Sequence, residues 1–153
     1  MRLVALLASV AAACIWTGLA SAAPTRAEFI REGDVVCTQV KRELLPLRMR
    51  AQAAKLLPES GKWAATARIW ADQIRIQRRF VARFKAIGTP ANDKAARQLV
   101  GGLARGVPLA VRVQTGFAQR NTTALSTALP AYLNHTLTLN RRVAAYGFRA
   151  CGR

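Results

Sequence analysis

Three short clusters of turn-forming residues cut most of the chain into four long intervals, and each interval repeats its apolar residues at helical spacing. The clusters are Leu57-Pro58-Glu59-Ser60-Gly61, Ile87-Gly88-Thr89-Pro90-Ala91-Asn92 and Arg120-Asn121-Thr122-Thr123. All are rich in residues that favour turns and helix caps. Nothing between them alternates with period two for long, as a half-buried strand would. An all-α fold follows. Four helices joined by short loops pack most simply as an up-down-up-down four-helix bundle, which makes the first and last helices antiparallel neighbours.

Each interval predicts its own buried face. The first helix opens at Thr25, with Glu28 completing a capping box, and Phe29, Gly33, Val36, Cys37, Val40, Leu44 and Leu47 form one stripe. In the second, Trp63, Ala67, Trp70, Ile74, Val81 and Phe84 share a face that Ile69, Ile76, Phe80 and Ile87 widen, a breadth that suits two neighbours. The third aligns Ala96, Leu99, Val100, Leu103, Val107, Ala110, Gln114 and Phe117, interrupted by Gly101-Gly102, Gly106 and Pro108, so it is expected to bend. The fourth begins near Thr122 or Thr123 and runs through Leu125, Leu129, Tyr132, Leu133, Leu137, Asn140, Val143, Ala144 and Gly147. Pro46 and Pro130 predict kinks in the first and last helices.

Ahead of the helices, the run from Leu3 to Ala23 carries no charge, follows Met1-Arg2, and ends abruptly at Pro24, Thr25 and Arg26. This pattern reads as a secretory signal peptide over residues 1–22, with Ala20-Ser21-Ala22 as the processing site and a mature start at Ala23. The domain is then residues 23–153. Two rival readings stand beside it. An uncleaved anchor is one, since about 20 apolar residues span a bilayer. A lipoprotein box, Ala11-Ala12-Ala13-Cys14 with Cys14 acylated, is the other, although Ala11 stands where such boxes usually have Leu.

Removal of residues 1–22 leaves 131 residues and takes away one basic side chain, Arg2, so 23 basic groups face 7 acidic ones. It also leaves two cysteines, Cys37 and Cys151, in a chain bound for an oxidising compartment, and a single disulfide between them is expected. Bundle topology points the same way. Cys37 lies about three turns into the first helix and Cys151 just past the last, so antiparallel packing brings them to one end.

The early Phe29-Ile30, the cysteine at Cys37 and the C-terminal Tyr146-Gly147-Phe148-Arg149-Ala150-Cys151-Gly152 together resemble a group of uncharacterised exported helical proteins of high-GC actinobacteria. The motif that carries this resemblance is YG-x-x-x-CG with its partner cysteine. It implies an extracytoplasmic, disulfide-tied bundle and supplies no activity. The strong basic excess is a departure from that group.

Chemistry is constrained by what the chain lacks. Beyond the signal segment there are two serines, Ser60 and Ser126, and neither sits in a nucleophile elbow. His135 is the sole imidazole; on the last helix it falls opposite the Leu133 stripe and is expected to face solvent. Glu28 and Glu32 are one turn apart, but at a helix start they simply complement the dipole. No metal motif occurs, Glu59-Ser60-Gly61-Lys62 is not a phosphate loop, and Gly101-Gly102 with Gly106 suits close helix contact better than a dinucleotide. A haem held between Met49 and His135 is disfavoured because both residues point away from their apolar stripes. No catalytic residue, metal or cofactor is therefore expected, and the chain does not read as an enzyme.

The basic excess is what remains. Arg68, Arg75 and Arg79 fall on one exposed edge of the second helix, and Lys94, Arg105 and Arg112 on one edge of the third. Such ridges on adjacent helices would form one positive wall that attracts anions through a salt-sensitive field. Outside the cytoplasm the candidate partners are anionic cell-wall polymers and acidic lipid headgroups. Nucleic acid is the weakest, because no stacking aromatics interleave the arginines. The expected function is a non-catalytic, envelope-associated binding module. The alternative is a small-ligand or cofactor carrier with a cavity between helices, lined by Trp63, Trp70, Phe84, Phe117 and Tyr132.

Overall fold

A computed structural model describes residues 22–151. Nearly all of the segment read as a signal peptide, Cys14 included, lies outside the described residues, as does Gly152. Four helices make up most of the described residues: α1 (Arg26–Lys55), α2 (Glu59–Ile87), α3 (Lys94–Ala118) and α4 (Thr122–Tyr146). Among the described residues there is no strand, and no helix is long and apolar enough to cross a membrane.

Local chemistry sets the helix ends. Thr25 caps α1 as the spacing predicts: its hydroxyl accepts from the Glu28 amide at 3.2 Å, and the Glu28 carboxylate accepts from the Thr25 amide at 2.7 Å. Asp93 accepts from the Ala96 amide at 2.9 Å to open α3, and Asn121 accepts from the Ala124 amide at 2.8 Å to open α4. Caps of this kind each contribute about 1 kcal/mol. Gly147 ends α4 in a left-handed conformation, φ 115°, that a side chain would strain. Pro46, Pro108 and Pro130 all lie inside continuous helices. All three are on exposed faces, so the carbonyl each leaves without a donor turns to water rather than to the core.

Packing runs from each helix to the next in sequence: α1 on α2, α2 on α3 and α3 on α4. The pairs run in opposite order along neighbouring helices. Glu43 of α1 meets Arg79 and Arg83 of α2, while the later Arg50 meets the earlier Asp72. On α3, Gly102 and Gly116 lie so close to α4 that an added Cβ would stand 2.7 Å from Leu139 and 2.8 Å from Leu125. These glycines are there for backbone approach.

That close contact fixes the rotation of α4 and corrects two expectations. Ala128, Tyr132, Val143 and Tyr146 turn inward, whereas Leu133 and Leu137 are 48% and 56% exposed. His135 does not face solvent. It is half-buried against α3, where its Nε2 lies 3.0 Å from the Gly102 carbonyl oxygen and its ring covers Gly106. The stripe drawn from sequence is centred on the most apolar arc, but α4 buries the arc next to α3's small residues.

A third difference concerns closure of the bundle. α1 and α4 do not pack along their lengths. They meet at one end, through side chains and the tail that follows α4. There Phe29, fully buried, has Phe84, Tyr146 and Phe148 around it at ring-centre distances of 6.0, 5.9 and 5.6 Å, all close to edge-on. Cys37 and Cys151 form the expected disulfide, with Cα atoms 5.3 Å apart. The Asp34 carboxylate accepts from the amides of Arg149, Ala150 and Cys151, the shortest at 2.7 Å, and so holds the tail against α1. Arg26 adds a hydrogen bond to the Tyr146 carbonyl at 2.8 Å and lies 4.5 Å over the Tyr146 ring.

Candidate binding site

Because α1 and α4 meet at one end only, the seam between them is a groove with α2 and α3 beneath it. Two cavities follow one another along it, and a third adjoins them at the far end, bounded by α1, α2 and α3 alone. The one beside the disulfide, of about 140 Å³, is bounded by Cys37, Lys41, Phe84, Leu99, Phe148 and Cys151. The middle one, of about 240 Å³, shares Val40, Phe80, Leu103, Leu139 and Asn140 with it and adds Leu44, Ile76, Gln77, Tyr132 and His135. The widest, of about 540 Å³, lies at the far end between Ala51 and Lys55 of α1, Trp63, Trp70 and Gln73 of α2, and Phe117 of α3. Gln73 belongs to both it and the middle cavity.

The groove is apolar with one polar cluster. Tyr132 receives hydrogen bonds from Gln73 Nε2 at 2.8 Å and Gln77 Nε2 at 2.6 Å, and its backbone carbonyl accepts from the Thr136 hydroxyl. The Gln77 carbonyl oxygen is buried without a partner. Turning that amide around would pair the oxygen with Tyr132 and orphan the NH₂ instead. His135 donates from Nε2 to the Gly102 carbonyl. Nothing here couples a nucleophile to a base. Among the described residues no group of three or more His, Cys, Asp and Glu stands together to hold a metal ion.

The basic residues singled out from sequence fall into two separate sets. Arg79 turns toward α1, where it pairs with Glu43 at 2.9 Å, and Arg75 pairs with Asp72 of its own helix. Arg68 is exposed on the same edge of α2 and has no carboxylate partner among the described residues. Lys94, Arg105 and Arg112 are exposed on α3, and of the three Arg112 turns toward α4. Arg112 shares a cleft with Ala124, Thr127 and Ala131, and the Arg105 guanidinium lies over Gly101 and Gly102. Arg79 and Arg112 thus turn toward different neighbours, α1 and α4.

All seven carboxylates are occupied within the chain. Glu28 caps α1, Glu32 lies 3.7 Å from Arg31, Asp34 holds the tail, and Glu59 lies 3.8 Å from Lys62. Glu43 accepts from both Arg79 and Arg83, which hold its carboxyl below the usual range. Asp72 is lowered chiefly by Arg50. Asp93 is lowered chiefly by the Tyr146 hydroxyl, which donates to it. The basic excess is left without internal neutralisation over much of the surface.

Sequence reasoning missed three features of the site. Asp34 lies in an ordinary helical stretch, and its role needs a tail 115 residues away to be in place. Lys41 and Lys55 line opposite ends of the groove, and with Arg48 between them they recur every seven residues, a spacing visible in the sequence. Gln77 carries no signal at all. No protein-family model matches the chain, and neither do any curated protein or solved structure.

Proposed function

We propose that the protein is a non-catalytic, exported binding module that contacts anionic surfaces, either cell-wall polymer or acidic lipid headgroups, through its exposed basic side chains. One observation carries this reading. All seven carboxylates are engaged within the fold, so Arg68, Lys94, Arg105 and Arg112 face solvent with no acidic partner among the described residues. An uncompensated field of one sign attracts polyanions over a Debye length, about 8 Å at physiological salt. The Cys37–Cys151 disulfide supports an oxidising location outside the cytoplasm, where these polymers and headgroups are found.

The test is titration with heparin or teichoic acid at several salt concentrations. Removing a basic group near an anionic surface costs about 1 kcal/mol, so Arg105→Ala and Arg112→Ala should each weaken binding roughly fivefold. Arg75→Ala and Arg79→Ala should matter less, since carboxylates already neutralise them. Binding that ignores both salt and these substitutions would reject the reading.

A further inference from the structure

The groove between α1 and α4 carries an inference independent of the basic surface. We propose that it binds a single-chain amphiphile with an anionic headgroup, a long-chain carboxylate or a monoacyl phosphate. The tail lies in the middle cavity and the headgroup at the Lys55 end.

Shape decides the class of occupant. A helix with its side chains is about 10–12 Å across. The inner two cavities, of about 240 and 140 Å³, are slots between side chains and admit one slender chain. The middle slot is walled by aliphatic and aromatic groups, Leu44, Ile76, Phe80 and Leu103 among them, which suit methylenes. The disulfide and Phe148 stop the narrow end, so the tail enters from the wide one.

Both ends carry a lysine with no carboxylate partner among the described residues, Lys41 and Lys55, so it is the stopped narrow end that leaves the headgroup at the wide one. Lys55 stands at the wide mouth with no carboxylate partner among the described residues, and Lys62 beside it is held by Glu59 only at 3.8 Å. An anionic head at this mouth would meet two ammonium groups against the one Glu59 carboxylate, a net positive charge, while its tail passes Trp63 and Trp70. The adjoining turn supplies a route of entry. Leu56 is 88% exposed and Leu57 40%, an apolar tip next to Lys55, which suits insertion into the interface where such amphiphiles reside.

The probes are palmitate and lysophosphatidylglycerol, titrated below their aggregation concentrations into the disulfide-intact protein. Trp63 and Trp70 line the mouth, and the remaining tryptophan, Trp16, belongs to the segment read as signal peptide, so tryptophan fluorescence reports on the site. The expected result is a saturable blue shift at one equivalent with one or both probes. Response to palmitate alone identifies the carboxylate, and response to lysophosphatidylglycerol alone the phosphate. Hexadecanol should bind about tenfold more weakly, a difference of about 1.4 kcal/mol. Lys55→Glu with Lys62→Glu should remove that preference while leaving the melting temperature unchanged, since both sites are at the bundle's open end. The proposal is overturned by no saturable response to either probe, by equal binding of hexadecanol and palmitate, or by indifference to the double substitution. Binding to anionic vesicles with no response to the monomeric probes also overturns it, while leaving the surface reading intact.

Discussion

The two ends of the groove beside α1 are built differently. At the disulfide end, four aromatic rings pack around one another, the tail is bonded to Asp34, and Tyr146 is held from two sides by Asp93 and Arg26. At the Lys55 end the rings meet only in separate pairs, Trp63 with Phe117 at 5.8 Å and Trp70 with Tyr132 at 5.0 Å, beside the widest cavity, and the neighbouring turn leaves two leucines exposed. The fold's longest-range contacts are concentrated where α1 and α4 meet. A bundle tied firmly at one end can leave the rest of its seam open without coming apart, and a groove in such a molecule needs no lid.

Breaking the tie is the strongest test of that division. The disulfide joins residues 114 apart in sequence. In the chain-entropy account a loop of that size stabilises the fold by about 4–5 kcal/mol. Cys37→Ala with Cys151→Ala should lower unfolding stability by nearly that amount in denaturant titrations. Hydrogen exchange should rise first at the start of α1 and in the 148–151 tail, and last at the Lys55 end. Uniform acceleration along the seam would contradict the idea that the ends are independent.

Ring packing should show the same asymmetry at a somewhat smaller scale. Phe29 is fully buried among three other rings, so Phe29→Ala removes contacts that no neighbour can replace and should cost about 3–5 kcal/mol. Trp63 is larger but only half-buried beside open space, and Trp63→Ala should cost less than half as much. Equal losses would mean that the open end is packed as firmly as the pinned one.

The division explains which parts of the molecule the sequence discloses. Helix number, the capping box at Thr25 and the burial of Phe29, Gly33, Cys37 and Val40 all follow from patterns within a single helix. The disulfide follows from cysteine parity. What fails is what depends on a second helix. Leu133 belongs to the most apolar arc of α4, yet Gly102 and Gly116 draw another arc inward, and His135 goes with it. The two basic edges are readable helix by helix, but the directions in which they turn depend on which neighbour each helix has on either side. Asp34 and Gln77 acquire meaning only when a distant segment arrives, so no local spacing marks them.

The smallest effect expected at the pinned end is also the most specific. The Tyr146 hydroxyl donates to the Asp93 carboxylate. Burial and then that hydrogen bond push the Tyr146 phenol up from 10 to about 12. The same bond is the main reason the Asp93 carboxyl is held below its usual range. The two shifts act at opposite ends of the pH scale. The raised phenol stabilises the fold fully below about pH 10, and that contribution is lost as pH rises toward 12. The depressed carboxyl contributes above about pH 4 and loses its effect as pH falls below that. Tyr146→Phe should therefore be less stable than the parent at neutral pH, by less than Phe29→Ala costs, and the gap should narrow both above about pH 10 and below about pH 4. Denaturant titrations across that range, with phenolate absorbance to mark the step near pH 12, measure both limbs. A gap that stays constant with pH would mean that rings and disulfide alone pin this end, with the Asp93 charge contributing nothing to the difference between the two halves of the seam.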